Sequence, residues 1–259
     1  MLLTILAFIA SLVPSVLIFL WLRSRHGKAT PKTEGESALA SPPCDALTYR
    51  KYCTSAFVRG MLCALPIIAL SGILFILNGV LRATLLKNAP VLLYKALYAF
   101  IVLALAEEIV KFAAFKTFLK KKPFAYAQAD IVAIMVIIGT GFGLLESLVF
   151  AIDSSPVYML VRGITMGHVG YAYITGRFYA KRMQTGKKVY GFLAVLIPWL
   201  IHGLYDFSLT PELMKINDNF AFLGVSLALL SIVLLIIMIC YFVKAKKAAK
   251  ETASLQNDT

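Results

Sequence analysis

Residues 130–152 read DIVAIMVIIGTGFGLLESLVFAI, and this stretch decides the fold. It is charged only at Asp130 and Glu146, and as a helix it is long enough to cross a hydrocarbon core of ~30 Å. A membrane barrel would show shorter segments of about ten alternating residues instead. Comparable apolar runs lie outward on both sides, at 2–22, 57–81, 95–119, 157–180, 189–208 and 220–243. The expected fold is therefore all-α, a polytopic transmembrane helix bundle of about seven spans. Composition agrees: the chain is 60% hydrophobic and only 15% charged, against about 25% charged in soluble domains.

The net charge of +13 invites a nucleic-acid reading, but its placement argues for membrane topology. With the N-terminus outside, segments 23–55, 116–128, 177–188 and 244–259 face inward and hold 19 Lys and Arg. Segments 82–90, 153–156 and 209–219 face outward and hold 3. Such asymmetry is the positive-inside rule, and it predicts an N-out, C-in bundle in contact with anionic lipid. No nucleic-acid partner is expected. The expected location is the cytoplasmic membrane of a bacterium, crossed several times.

Residues 1–22 read as a retained N-terminal transmembrane anchor, because Arg23, Arg25 and Lys28 follow the apolar run and no basic region precedes it. Residues 23–55 hold Gly27, Pro31, Gly35, Pro42 and Pro43 and read as a cytoplasmic linker. The transmembrane bundle follows at 56–243, then a basic cytoplasmic tail at 244–259. No internal repeat is visible, which weakens a transporter built from duplicated halves.

Four of the apolar segments carry acid or imidazole groups. They hold Glu107, Glu108 and Lys111; Glu146; His168; and the pair His202 and Asp206. A charge at mid-membrane costs roughly 2.5–3.5 kcal/mol on insertion scales, so such groups face the bundle interior and mark chemistry or an ion path. Lys111 lies i+4 from Glu107 and i+3 from Glu108, so it can reach either carboxylate. Glu146 follows Gly139 and Gly143, a small-xxx-small pair that admits a neighbouring helix. His202 and Asp206 share a helix face, and Pro198 four residues earlier frees the Ala194 carbonyl. Arg162, near the outer end of its span, is expected to snorkel. Each group also has a bland reading, as a structural ion pair or an interhelical hydrogen bond. Four independent bland readings in one chain are less economical than one shared site. HExxH and GxSxG are both absent, so the simplest hydrolase these groups can build is a water-activating carboxylate helped by imidazoles.

Taken in order, Glu-Glu-x-x-Lys at 107–111, Phe-x-x-x-Glu at 142–146, the Arg162–His168–Gly176 segment and His-Gly-Leu-Tyr-Asp at 202–206 resemble the PrsW family. That family belongs to the superfamily of CAAX-type and bacteriocin-processing intramembrane proteases. The resemblance covers a catalytic core of about 95–210. It implies glutamate-dependent intramembrane proteolysis of a membrane-anchored protein, with anti-sigma factors as the associated substrates. It also assigns roles. Glu107 would activate water, with Glu108 as its proton partner and Lys111 in support. Glu146 stands where related branches carry a His, His168 and His202 would orient water or stabilise the oxyanion, and Asp206 stands where other branches have Asn. The family has also been treated as metallopeptidases, in which case zinc would sit among His168, His202, Glu107 and Glu146. Metal-free chemistry is the expectation here, because no two of these residues have a recognised zinc spacing.

The resulting expectation is an intramembrane endopeptidase acting near the outer half of the bilayer. Proton relays are built from the same residue types, so a proton-coupled transporter or channel is the alternative, followed by a catalytically inactive membrane scaffold.

Overall fold

The computed structural model describes residues 2–25, 45–122, 127–151, 155–210 and 219–257. Among them all regular structure is helical. Helices α1 (Leu2–Ser24), α2 (Ala46–Leu62), α3 (Ala64–Thr84) and α4 (Val91–Leu97) lead into a π-helical segment, Tyr98–Leu105. Then follow α5 (Ala106–Lys121), α6 (Gln128–Phe150), α7 (Pro156–Thr165), α8 (Gly167–Thr185), α9 (Lys188–Ser208) and α10 (Asn219–Asn257).

Helix α6, the stretch quoted first, is the centre of the bundle. Every residue from Ile131 to Phe142 is buried, as expected for a helix apolar on all sides. Around it pack α8, α2 and α1. Gly139 sets the approach of α8: a Cβ there would lie 2.5 Å from Ala172 Cβ and 2.7 Å from the His168 carbonyl oxygen. The glycine pair expected to admit a neighbouring helix thus faces the helix that carries His168.

Among the described residues, five helical stretches are long and apolar enough to cross a membrane: Leu3–Ser24, Ala46–Thr84, Gln128–Phe150, Lys188–Ser208 and Asn219–Ala249. The two other expected spans are interrupted. Residues 95–119 are divided among α4, the π-helical segment and α5, and residues 157–180 break at Met166 between α7 and α8. Both interrupted segments carry ionisable groups, as do the intact α6 with Glu146 and α9 with His202 and Asp206.

The stretch read as linker is helical from Ala46 onward. Asp45 caps α2 by accepting the Thr48 N–H at 2.9 Å, and Tyr49, Cys53, Ala56 and Gly60 form its buried face. Its polar residues belong to the outer face of an amphipathic helix, so they resemble a linker only when periodicity is ignored. The remainder of that reading, 26–44, lies outside the described residues. The basic tail continues α10 as far as Asn257.

Helix α1 buries Ala7, Ser11, Ser15, Ile18 and Leu22, spaced three or four apart on one face. The opposite face, with Leu3, Leu6, Val13, Leu17 and Leu20, is exposed to what would be lipid. Helix α1 packs on α7 and α6, and Gly163 permits the first contact: a Cβ there would stand 2.5 Å from Ser11 Cα.

Candidate active site in the helix bundle

Glu107 and Glu108 sit in the first turn of α5, directly after the π-helical segment. A π segment loosens the backbone ladder and is frequent beside functional groups. Here side chains tie it down: Trp199 Nε1–H donates to the Phe100 carbonyl at 2.7 Å, and Ser71 Oγ donates to that of Val102 at 3.0 Å. His168 enters from the first turn of α8, immediately after Met166, whose φ of 46° is left-handed. A non-glycine residue in that region is uncommon; it breaks the helix between Arg162 and His168, both of which reach Glu146. His202 and Asp206 come from α9.

The structure brings all six expected site residues and Lys111 into one connected cluster. Lys111 is 1% exposed and Glu108 2%. Lys111 Nζ donates to Glu108 Oε1 at 2.7 Å and to His168 Nδ1 at 3.1 Å. Since an ammonium only donates, His168 Nδ1 is the acceptor, and its Nε2–H donates to Glu146. Glu146 is also paired with Arg162. On the other side, His202 Nδ1–H donates to Glu108 Oε1 at 3.0 Å, and His202 Nε2 lies 3.4 Å from Asp206 Oδ2.

Glu107 stands apart within this network. Its Oε2 is buried and has no hydrogen-bond partner among the described residues. It lies 3.7 Å from Lys111 Nζ, 3.8 Å from His202 Nε2 and 3.9 Å from His168 Nδ1. The imidazole nitrogens facing it are those not turned to Glu108 and Glu146. The arrangement is therefore a bare carboxylate oxygen facing two imidazoles, each oriented from behind by another carboxylate.

A cavity of about 50 Å³ adjoins the cluster, lined in part by Gly143, Glu146, Arg162, His168, His202 and Asp206. It has room for one or two waters. Arg162, Tyr171 and Tyr205 line it too and were not among the expected site residues. Arg162 was expected to snorkel but pairs with Glu146. Tyr171 stacks on His202 with ring centroids 4.9 Å apart, and Tyr205 lines the cavity. Tyr205 lies inside the quoted 202–206 motif, whereas Tyr171, three residues beyond His168, gave no separate signal.

Glu107, His168 and His202 each offer one ligand atom, all within 4.8 Å of one another. Two imidazoles and one carboxylate, whose buried oxygen is unsatisfied, suit a divalent ion such as zinc, with Glu108 and Glu146 as the carboxylates behind the two histidines. Glu146, expected as a fourth ligand, instead meets the other nitrogen of His168. The ammonium of Lys111 beside His168 Nδ1 opposes a cation at the same point.

An apolar helix bundle around a buried acid–imidazole cluster defines an integral membrane protein with an internal site of ionisable groups. Residues 49–242 match the description "PrsW family intramembrane metalloprotease", and the chain belongs to that family. It is 32% identical over 124 residues to Protease PrsW of Clostridioides difficile (strain 630), a match covering 44% of this chain and 52% of that protein. The chain thus spans about half the length of the curated relative it matches. No solved structure matches it.

Proposed function

We propose that the protein is an intramembrane endopeptidase that hydrolyses a peptide bond of a membrane-anchored protein substrate. One observation carries this reading: the buried, unbonded Glu107 Oε2 within 4 Å of both imidazoles that line the cavity. A carboxylate in that position can take a proton from water as the water oxygen attacks the peptide carbonyl carbon. The same proton then passes to the amide nitrogen as the C–N bond breaks. His168, held by Glu146 and Arg162, and His202, held by Glu108, fix the water and the carbonyl oxygen between them. Arg162 is the cation that lines the cavity, where it can offset developing negative charge. Family membership supports the reaction class, and anti-sigma factors are the substrates it brings forward. The charge asymmetry supports about seven spans, N-out and C-in.

The family description also implies a metal, and Glu107, His168 and His202 fit one once the Lys111 ammonium turns from His168 Nδ1 to Glu108 alone. Glu107, His168 and His202 would hold it, and it would supply a Lewis acid that makes bound water acidic. The expectation of metal-free chemistry rested on spacing along the chain, which is uninformative when three helices each supply one ligand. Metal content of the active, purified protein separates the two cases. One zinc per chain, lost in a folded Glu107→Ala variant, would make Glu107 a ligand, and active protein free of metal would leave it the base.

The reaction itself is tested by comparing membrane-protein fragments in cells making wild-type protein or Glu107→Gln at matched levels. A fragment that vanishes in the variant while its precursor accumulates is the expected result. Identical patterns with both proteins inserted would overturn the proposal.

A further inference from the structure

A second cavity, of about 650 Å³, lies between the C-terminal end of α1 and one face of α2. Four cations line it: Arg23 from α1 and Arg50, Lys51 and Arg59 from α2. Among the described residues no acid lines it. Arg23 Nε is buried without a hydrogen-bond partner among the described residues. Arg59 donates through one nitrogen to the Ala114 carbonyl at 3.3 Å, which leaves most of its five N–H donors available. A concentration of positive charge with unsatisfied donors calls for an anion with several acceptor oxygens, and phosphate provides them.

The same helix face changes character along its length. Arg50 and Lys51 precede Val58 and Leu62, which are 46% and 56% exposed, and Leu65 in α3 continues the exposed apolar track at 67%. From Arg50 to Leu62 is about 18 Å along a helix, the scale over which a lipid passes from phosphate to acyl chain. A free phosphate ion would find a use for the cations but none for the leucines. The charge asymmetry also assigns this end of α1 and α2 to the cytoplasmic leaflet, where anionic lipids collect basic segments.

We propose that this cavity is a binding site for the headgroup of an anionic phospholipid, whose phosphodiester sits among Arg23, Arg50, Lys51 and Arg59 and whose chains follow Val58, Leu62 and Leu65. The site is separate from the Glu107 cluster and does not depend on the proposed peptidase activity. It gives the protein a preference for anionic surroundings at the α1–α2 junction.

The test uses the full chain, purified in mild detergent and exposed to equimolar phosphatidylglycerol and phosphatidylcholine, with retained lipid counted by native mass spectrometry. Wild-type protein should retain phosphatidylglycerol in preference. The exposed-residue variant Arg50→Gln/Lys51→Gln should lose that retention on the order of tenfold, at unchanged helix content and thermal unfolding. A charge-matched control, Lys244→Gln/Lys247→Gln in the basic end of α10, should keep it. Equal retention of the two lipids, or equal loss in control and variant, would overturn the proposal. Displacement of the lipid by millimolar inorganic phosphate, lost in the α2 variant, would overturn the lipid assignment in favour of a free-phosphate site.

Discussion

Glu107 and Glu108 are adjacent in sequence and identical in chemistry, yet among the described residues Glu108 is hydrogen-bonded and Glu107 Oε2 is not. Glu108 Oε1 accepts Lys111 at 2.7 Å and His202 at 3.0 Å. Consecutive helical residues point about 100° apart, so Glu108 turns to Lys111 and His202 Nδ1, and Glu107 faces His202 Nε2 and His168 Nδ1. In the proposed reaction, this split makes Glu108 the structural carboxylate and Glu107 the reactive one.

Glu107→Gln should therefore remove activity and leave the fold in place. The amide keeps the volume and cannot take a proton, and no hydrogen bond to Oε2 is lost. Loss of a positioned base predicts a fall in cleavage rate of about 10²–10⁴-fold. Thermal unfolding in detergent should stay close to wild type. A variant that cleaves its substrate at an unchanged rate would remove Glu107 from the chemistry.

Lys111→Met should show the reverse emphasis, a loss of stability first. It leaves Glu108 buried beside His202 without its cation, and breaking a buried pair costs about 3–5 kcal/mol. Adding Glu108→Gln to Lys111→Met should restore part of that loss, since both charges are then gone. Unfolding of the two single variants and the double variant checks the coupling. Additive losses would show that the pair does not act as a unit.

The membrane class of the fold was legible because twenty or so consecutive apolar residues allow few alternatives in bilayer or protein. The site was legible for a related reason: Glu107, Glu146, His168 and Asp206 are conspicuous where hydropathy forbids them. What hydropathy could not reveal was the break at Met166. A left-handed residue inside an apolar run has no compositional mark, and neither has the pairing of Arg162 with Glu146. The π-helical run before Glu107 was hidden likewise, since Tyr98–Leu105 reads as ordinary apolar helix. Periodicity in α2 was present, with Tyr49, Cys53, Ala56 and Gly60 at helical spacing, but prolines upstream made the whole stretch look irregular.

Arg162 gives the prediction that distinguishes the two readings of that side chain. A snorkelling arginine would tolerate Arg162→Gln, whereas the partner of Glu146 would not. With Glu146 released, the ring of His168 loses its fixed orientation, and outer partners of this kind are worth about 10–100-fold in activity. The loss should fall on kcat with KM little changed, because Glu146 acts through His168. Arg162→Lys, which keeps the charge but lacks the planar fork, should recover only part of the rate.

The last prediction concerns how a peptide reaches this site. A cavity of about 50 Å³ admits water, but ligand pockets generally run to ~300–1,000 Å³, so an extended peptide requires a wall to move. One wall residue is Ser15 of α1, and α1 is seated where Ser11 meets Gly163. Any side chain at 163 would collide with the Ser11 backbone, which has no rotamer to yield, so Gly163→Leu should displace α1 as a unit. Overpacking of this kind costs about 1–3 kcal/mol. The displaced helix should expose position 15, so a Ser15→Cys thiol should react with a water-soluble maleimide on the order of tenfold faster once its burial is lost. Gly72→Leu is the control, because a Cβ at Gly72 meets nothing within 4 Å, and it should leave the labelling rate unchanged. Equal rates in the two leucine variants would make α1 a fixed wall and require the peptide to enter from another side of the bundle.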